Sequence, residues 1–497
     1  MRRSLIFAAT LAIMASGLTT TTYSAQKRDK KVKAIESVAT VEPQGPVLVE
    51  VSSLDELMTY LPQDNITLKM AAGEYLITAD DIKAGKFTKP FEISPGRITY
   101  AILPFEGNNC TYDFSGVTIG VESGAINSFP GSYFEVSELH MFGNDNVVKN
   151  LKLVDRGSVH DFPKCSWVNV IMDGARNRLD GVEINSQGSK PYGYGEVFGK
   201  GKDHVIAHKK HCGWLVRGDA NHVKDCRIIH HSYGHYLFIQ GCDGALIEGV
   251  YIEGEVVTTD SILAEEGSGS AADKIGFKTV FGYTLPKGYT LSTGEDGIRT
   301  YANGSTMIDG VAVQRPTGGD IVVKDCVVKH ARSGISLTEG SGTRYVENCT
   351  LIGCQDGYSI RSGGKIVNCR ADAAFGPALR FVSSRDRACD IDITITPYEG
   401  DKLSGNGSRH LAHIFGSDHK ITLRKGEGLE VDDELSIWIG GDSFTIGNLG
   451  KDQNFLAPNV TLINETGYRV VVDEDATDTK VTSNGQVVDN GVNSTIN

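Results

Sequence analysis

The chain repeats one pattern: residues 325–340 read DCVVKHARSGISLTEG, and residues 348–363, which begin 23 positions later, read NCTLIGCQDGYSIRSG. Residues 225–241 read DCRIIHHSYGHYLFIQG, which is the same pattern with one extra residue. Each copy holds short alternating apolar runs, which suit strands, separated by Gly, Asn or Asp, which suit tight corners. A fixed period of this length indicates a solenoid. Leucine-rich repeats have a similar period, but their Leu-x-x-Leu-x-Leu core is missing. The pattern therefore predicts an all-β parallel β-helix with one coil per repeat.

The composition agrees with a fold that has many corners. Gly supplies 58 of the 497 residues, and Gly adopts corner conformations at little steric cost. The net charge of −13 argues against a general binder of nucleic acid or anionic lipid. Four of the ten cysteines follow Asn or Asp at the same phase of the repeat, which favours stacked buried thiols over disulfides; they are Cys226, Cys326, Cys349 and Cys369.

The two ends of the chain differ from the repeats. Residues 1–25 read as a secretory signal peptide, and their apolar run is too short to span a bilayer comfortably. Residues 26–44 read as a flexible leader, residues 45–475 as the β-helix, and residues 476–497 as a loose tail. We therefore expect a secreted or periplasmic protein without a membrane span.

Two segments add to the regular coils. Residues 47–61 contain a short amphipathic helix, with Ser53 and Glu56 as a capping box, and this helix is expected to cover the N-terminal end of the solenoid. Residues 255–304 interrupt the repeat with five aromatic residues, and loops of this length in compact folds are usually functional or disordered. We expect an ordered inserted loop that folds over one side face.

The chemistry concentrates between residues 199 and 235, where seven Lys or Arg stand against three Asp in an otherwise acidic protein. Such a local reversal of charge indicates a site for an anionic ligand. Aligning Gly218 with Gly241 superposes successive coils, which lie about 4.8 Å apart in a parallel sheet. This alignment predicts the stacked pairs His208 over His231, Lys210 over Tyr233, and Cys212 over His235. The equivalent corner one coil earlier holds Tyr192 and Tyr194. Alternation is expected to bring His211 and His235 to the same rim.

A set of Lys, Tyr and His without clustered carboxylates fits β-elimination of a polyuronate. The substrate carboxylate must first be neutralised, a base then removes the C5 proton, and an acid protonates the leaving oxygen at C4. We assign Lys210 as the base and Tyr194 as the acid, with Tyr192 as the alternative acid. The residues expected to neutralise the carboxylate or bind the substrate are His208, His211, Arg217, His231, Tyr233, His235, Arg299 and Tyr301, and His231 is also a catalytic candidate.

Other chemistries fit the sequence less well. Hydrolysis on a β-helix would call for paired carboxylates, and no Gly-Asp-Asp followed by Cys occurs. His208 and His211 could bind zinc but lack a third partner. No cofactor is therefore expected. Calcium stays open because carboxylates of the inserted loop could supply ligands, namely Glu253, Glu255, Asp260, Glu265 and Glu266.

The Asn/Asp-Cys coils and the N-terminal helix resemble the right-handed parallel β-helix, pectin-lyase-like superfamily over nearly the whole mature chain. More narrowly, four stretches resemble the metal-independent alginate lyases of polysaccharide lyase family thirty-one: PYGYG (191–195), KHCGWLVRGD (210–219), HSYGHYLFIQG (231–241) and GEDGIR (294–299). That family uses a Tyr and a Lys as acid and base, so the resemblance implies Lys210 together with Tyr192 or Tyr194. Cys212 stands where the resemblance leads us to expect a small residue such as Ser.

Two classes of function therefore follow from the sequence. The first is an exported monomeric lyase acting on an anionic polysaccharide, with alginate as the expected substrate. The second is a non-catalytic β-helix that binds a glycan or decorates a surface. A uronan C5-epimerase is a further alternative, because it shares the first proton abstraction.

Overall fold

The computed structural model describes residues 45–94, 97–131, 134–159, 165–187, 198, 205–206, 210–280, 282–308, 310–398, 409–441 and 455–497. Three ladders of parallel strands run along this part of the chain, and each coil contributes a strand to successive ladders. The expected parallel β-helix is therefore confirmed. No helix in the described ranges is long and apolar enough to cross a membrane. The expected signal peptide and leader, residues 1–44, lie outside the described residues.

The first and second ladders merge into one sheet, because the strand Lys365–Ala371 pairs with both. The first ladder contains Val47–Val51, Ile66–Met70, Thr111–Asp113, Val147–Lys149, Arg178–Asp180, Asn221–Lys224, Asp243–Glu248, Gly318–Lys324, Arg344–Glu347, Lys365–Ala371, Asp390–Ile395, Lys420–Lys425, Thr461–Asn464, Lys480–Ser483 and Thr495–Ile496. The second ladder contains Gly73–Ile77, Val117–Glu122, Lys152–Arg156, Glu183–Ser186, Arg227–His230, Tyr251–Gly254, Val327–Lys329 and Thr350–Ile352.

The third ladder forms a separate sheet that carries the candidate site. It contains Lys89–Ser94, Arg97–Phe105, Phe134–Met141, Cys165–Met172, His211–Val216, Leu237–Ile239, Asp296–Thr300, Ser333–Leu337, Asp356–Ile360, Leu379–Arg380, His410–Ile414, Ser436–Ile439, Arg469–Val472 and Val487–Asp489. Its first two strands are antiparallel, and the later neighbours are parallel. Short pairs outside the ladders are Val256–Thr258 with Thr290–Ser292, Asn303–Ile308 with Val311–Pro316, and Ala457–Pro458 with Ala476–Thr477.

The repeat read from the sequence matches the observed register. Val327 pairs with Thr350, and Ser333 pairs with Asp356, each at an offset of 23 residues. The Asp or Asn before each repeated Cys adopts a left-handed conformation, with φ of 55° at Asp325. Asn and Asp tolerate this conformation better than other residues with a side chain. The same conformation recurs at Asp225, Asn348 and Asn368. The corners therefore explain why the repeat keeps Asn or Asp at this position.

The cysteines that follow these corners point into the core. Cys326, Cys349 and Cys369 are fully buried, and Cys226 is 2% exposed. The cysteines whose side chains the structure describes are free. They therefore act as small buried hydrophobic residues that stack from coil to coil, as the sequence predicts.

A short helix, Leu54–Tyr60, covers the N-terminal end of the solenoid. Ser53 caps it by accepting a hydrogen bond from the Glu56 backbone NH at 3.2 Å. Leu57 and Leu61 are fully buried against the core. The other helices of the described part are Ala79–Lys83, Thr259–Leu263 and Ala271–Lys274, with a 3-10 turn at Ser123–Ser128.

The inserted segment is ordered and is shorter than expected. It contains the two helices that follow residue 258 and has its own hydrophobic cluster, which includes Ile262, Phe277 and Leu291. The strand Asp296–Thr300 already belongs to the third ladder, although residues 255–304 are predicted as one loop. The insertion therefore delivers its C-terminal end directly into the sheet.

The expected loose tail over residues 476–497 is instead part of the solenoid. Its strands Lys480–Ser483 and Val487–Asp489 pair in register with the preceding coils. Buried Val481 continues the core, and Asn493 adopts a left-handed corner with φ of 57°. The polar Thr and Asn residues that suggested disorder therefore serve as strand and corner residues.

Candidate active site

The candidate site lies where consecutive strands of the third ladder begin. Trp214 pairs with Leu237 at the predicted offset of 23 residues, so Lys210 lies level with Tyr233 and Cys212 with His235. The next coil is reached through the inserted segment. Leu237 pairs there with Ile298, and this pairing places Asp296 level with His235.

A buried carboxylate, Glu295, lies at the centre of the cluster. Its Oε2 atom is 2.7 Å from the Lys210 Nζ atom and 3.2 Å from the His235 Nε2 atom. Its Oε1 atom accepts a hydrogen bond from the Tyr233 hydroxyl at 3.3 Å and lies 3.6 Å from the Arg332 Nη1 atom. Glu295 therefore connects four consecutive coils: the coil of Lys210, the coil of Tyr233 and His235, its own coil and the coil of Arg332.

The adjacent carboxylate, Asp296, is completely buried and holds a second set of partners. Its Oδ2 atom is 2.7 Å from the Arg299 Nη1 atom and 3.2 Å from the His235 Nδ1 atom. Its Oδ1 atom is 3.2 Å from the Arg332 Nη2 atom. The Nε2 atom of His235 is also hydrogen-bonded to the Tyr301 hydroxyl. His235 thus connects the two carboxylates to a phenol at the surface of the cluster.

The surrounding charges keep both carboxylates ionised. Burial by itself would raise the pKa of Asp296, but Arg332, His235 and Arg299 hold that pKa well below its usual range. Burial likewise opposes ionisation of Glu295, yet His235, Lys210 and Arg332 lower the pKa of its carboxyl. Neither carboxylic acid is available as a proton donor near neutral pH.

The polar groups that reach solvent are a different set. The Lys210 side chain is 37% exposed and that of Arg299 is 21% exposed, whereas Glu295 is 2% exposed. Tyr301 is half-buried, and burial raises the pKa of its phenol, so it keeps its proton at neutral pH. Arg299 stacks 4.6 Å from the centre of the Tyr301 ring and also reaches Glu339 at 3.5 Å. A ligand at this surface therefore meets an ammonium, a guanidinium and a phenol.

The structure brings together Lys210, Tyr233, His235, Arg299 and Tyr301 among the residues that the sequence predicts. Lys210, Tyr233 and His235 lie just before strands of the third ladder, so the coil register brings them together. Arg299 lies within the strand Asp296–Thr300, and Tyr301 follows the end of this strand. The predicted Tyr192, Tyr194 and His208 lie outside the described residues.

Three other predicted residues lie apart from this cluster. His211 is fully buried inside the solenoid, because it is one position away from Cys212 and alternation turns it inward. It therefore does not share the rim with His235. Arg217 is 4% exposed and pairs with Asp173 at 2.7 Å. His231 is half-buried, and its Nδ1 atom contacts the Glu255 Oε1 atom at 2.5 Å.

Sequence reasoning missed Glu295, Asp296 and Arg332. The expectation of a site without clustered carboxylates is wrong, because two carboxylates form its buried floor. The stretch GEDGIR (294–299) contains both carboxylates, but it follows the insertion, so the repeat predicts no position for them. Arg332, by contrast, lies within the repeat copy of residues 325–340, so its position in the coil was open to prediction.

The loop carboxylates do not assemble a calcium site in the part of the chain that is described. Glu253 accepts a hydrogen bond from the Tyr251 hydroxyl at 2.6 Å, and Glu255 is engaged with His231. The described ranges instead contain another group of side chains that could hold a metal ion. This group is Glu138, Asp155 and His211, and it lies inside the solenoid.

Comparisons with known proteins agree with the fold. A protein-family model described as a right-handed β-helix region matches residues 180–374. The three ladders and this match define the class of the protein as a right-handed parallel β-helix. A search of curated proteins found no match.

Solved structures with a similar path of the chain include polysaccharide lyases. A PL6 alginate lyase in complex with a trisaccharide has 12% identity and a TM-score of 0.48, over 89% of this chain and 86% of that chain. A mannuronic acid specific family 6 lyase from human gut microbiota has 10% identity and a TM-score of 0.39, over 89% and 83%. A tailspike capsular polysaccharide depolymerase from an Acinetobacter baumannii bacteriophage has 10% identity and a TM-score of 0.33, over 86% and 63%. These likenesses concern the fold and carry no argument about activity. The narrower resemblance to family thirty-one stays a prediction.

Proposed function

We propose that the protein is a polysaccharide lyase that cleaves a uronic-acid polymer by β-elimination. The observation that carries this proposal is the division of the site into two layers. Lys210, Arg299 and Tyr301 face solvent, while Glu295 and Asp296 are buried beneath them. Cations and a phenol at the surface suit a substrate whose every sugar carries a carboxylate.

The protonation states favour elimination over hydrolysis at this cluster. A glycoside hydrolase needs one protonated carboxylic acid to assist the leaving group and a second carboxylate as base or nucleophile. The pKa values of Glu295 and Asp296 are both lowered, so neither can supply that proton near neutral pH. Both are also almost completely shielded from a substrate. The buried carboxylates therefore position the groups above them.

The proposed reaction uses the exposed layer. Arg299 pairs with the substrate carboxylate and stabilises the negative charge that develops when the C5 proton leaves. Lys210 first releases its own proton to solvent, and the free amine then takes the C5 proton; Glu295 at 2.7 Å stabilises the ammonium that forms again. The electron pair of the C5–H bond forms the C4–C5 double bond, and the C4–O4 bond breaks. A tyrosine then donates its proton to the leaving O4 atom.

Tyr301 is the described tyrosine that fits the role of acid. Its raised pKa keeps the phenol protonated, and its hydrogen bond to His235 fixes the direction of the hydroxyl group. Burial lowers the pKa of His235, so a neutral imidazole lies next to the phenol. Tyr194 and Tyr192 are the alternatives from the sequence, and variants distinguish the three.

The test is the ultraviolet absorbance of the conjugated C4–C5 double bond during incubation with polymannuronate, polyguluronate, polygalacturonate and glucuronan. We expect one of them to give an unsaturated product, and Lys210→Ala to reduce the rate by about 10²–10⁴-fold, the usual contribution of a general base. Glu248→Gln, on the first ladder, is the matched control and retains the wild-type rate. No unsaturated product from any polymer would refute the lyase proposal.

Two outcomes distinguish the alternatives. Deuterium incorporation at C5 without chain cleavage would identify a C5-epimerase. Binding without either reaction would identify a glycan-binding protein. If the wild type proves to be a lyase and Lys210→Ala keeps full activity, the assignment of the base is overturned, but the reaction class stands.

A further inference from the structure

A second polar cluster lies inside the solenoid, next to the strand His211–Val216 that follows Lys210. Glu138, Asp155 and His211 come from three different strands, and each is at most 2% exposed. One ligand atom of each lies within 4.8 Å of the others. The His211 Nε2 atom is 3.5 Å from the Asp155 Oδ2 atom. Three groups able to bind a metal therefore converge on one point of the core.

Several atoms of this cluster lack hydrogen-bond partners. Both ring nitrogens of His211 and the Oε2 atom of Glu138 have none within the described residues. Buried polar atoms in folded proteins are almost always satisfied, so these orphans call for a specific occupant. Because the His211 ring is fully buried, that occupant has to lie within the core.

The remaining oxygen atoms are held by neighbours that orient the cluster. The Trp167 Nε1 atom donates to the Glu138 Oε1 atom at 2.7 Å. The Asn169 Nδ2 atom donates to the Asp155 Oδ1 atom at 3.2 Å. The Gln187 backbone NH also donates to the Asp155 Oδ2 atom at 2.6 Å, so this oxygen has its second lone pair to offer. Carboxylates that bind a metal ion are commonly hydrogen-bonded in this way by their neighbours. The Trp167 ring also stacks on His211, with ring centres 5.1 Å apart, and fixes the plane of the imidazole.

Two of the three side chains of the cluster carry a carboxyl group, and all three side chains lie in the core. Charged carboxylates are costly in such a setting unless a cation accompanies them. A divalent cation would balance the charges of the two carboxylates.

We propose that Glu138, Asp155 and His211 bind one divalent metal ion of the zinc class inside the solenoid. Ligands at about 2.0–2.2 Å from a tetrahedral zinc ion lie roughly 3.3 Å apart, close to the observed separation of the Asp155 and His211 atoms. An imidazole ligand favours zinc over calcium and magnesium, which prefer oxygen ligands. The ion joins three strands and anchors the first residue after Lys210. Sequence spacing could not reveal this set, because its members stand far apart in the chain.

The first test measures the metal content of the full-length protein, produced without a histidine tag in zinc-supplemented medium. We expect about one equivalent of zinc per chain in the wild type and less than about a tenth in Glu138→Gln and Asp155→Asn. The matched control is His222→Gln, which removes a half-buried histidine that pairs with Glu248 on the first ladder and retains the metal. A metal-free wild type would overturn the proposal and indicate that the two carboxyl groups share a proton. Zinc retained at one equivalent by a folded Glu138→Gln would also overturn it.

The second test uses only the wild-type protein, so its result does not depend on whether a variant folds. X-ray absorption at the zinc edge of the wild type should show one imidazole nitrogen and oxygen ligands at about 2.0–2.1 Å. Sulfur ligands, or more than one imidazole, would place the metal elsewhere and refute the assignment. Both readouts are independent of catalytic activity, so they stand whether or not the protein is a lyase.

Discussion

Replacing Glu295 with Gln should destabilise the coils around the candidate site. Glu295 is 2% exposed, compensates the charges of Lys210 and Arg332, and contacts the His235 imidazole. Removing one partner of a buried ion pair costs about 3–5 kcal/mol. Here the buried charge that loses compensation is the Arg332 guanidinium, whose side chain is 5% exposed. Gln conserves the shape and one acceptor oxygen, so the loss reports on charge rather than on packing.

Glu248→Gln is the matched control. Glu248 also pairs with one lysine and one histidine, Lys324 and His222, each at 2.9 Å, but on the outer surface of the first ladder. Its side chain is 22% exposed, and ion pairs near the surface contribute only about 0–1 kcal/mol. The two variants therefore make the same chemical change in a buried and in a solvated setting.

Hydrogen exchange followed by mass spectrometry is the suitable assay, because a solenoid opens locally and a single unfolding free energy need not describe it. Amides of the strand Asp296–Thr300 should exchange about 10²–10⁴-fold faster in Glu295→Gln. Amides of the strand Asp243–Glu248 should change by less than about tenfold in Glu248→Gln. Equal changes in the two variants would refute the conclusion that the buried carboxylates hold the site together.

Three further predictions concern single residues. Asp296 has a depressed pKa, so its contribution to stability is present above the unfolded-state pKa of about 3.9 and is lost as the pH falls through the folded-state value; Asp296→Asn should therefore flatten the fall of the unfolding temperature below about pH 4. Tyr301→Phe should keep the ring packing and lower kcat by about 10²-fold or more with a KM near that of the wild type, and an unchanged kcat would transfer the acid role to Tyr194 or Tyr192. Cys349→Ser should lower the unfolding temperature, because a hydroxyl in an apolar stack costs about 1–3 kcal/mol, and native wild-type protein should resist thiol labelling at this residue.

Much of the fold is readable from the sequence, because the strongest contacts of a solenoid join residues one period apart. The offset of 23 that separates Asp325 from Asn348 is also the offset that pairs Trp214 with Leu237. For the same reason the repeat predicts the stacking of Lys210 on Tyr233 and of Cys212 on His235. The tail after residue 475 was misread, because its polar composition concealed strands that continue the ladders.

The buried half of the site lies beyond that reasoning. His235 and Asp296 lie level in adjacent coils, yet they are 61 positions apart, because the inserted segment separates them. An insertion of this kind costs little free energy but removes the periodicity that would reveal the contact. The repeat therefore leaves Glu295 and Asp296 in the predicted loop, whereas the strand pairing places Asp296 in the third ladder.

A fixed period and alternation along a strand are enough to predict the coil, its corners, the buried cysteines and the row of Lys210, Tyr233 and His235. Which charges meet across the insertion and inside the solenoid is visible only in the folded chain. The tertiary structure places Glu295 and Asp296 beneath the exposed cations, and it turns His211 inward. The physical reason is that long-range pairing of charges depends on where a variable loop returns to the sheet, and no local pattern encodes that position.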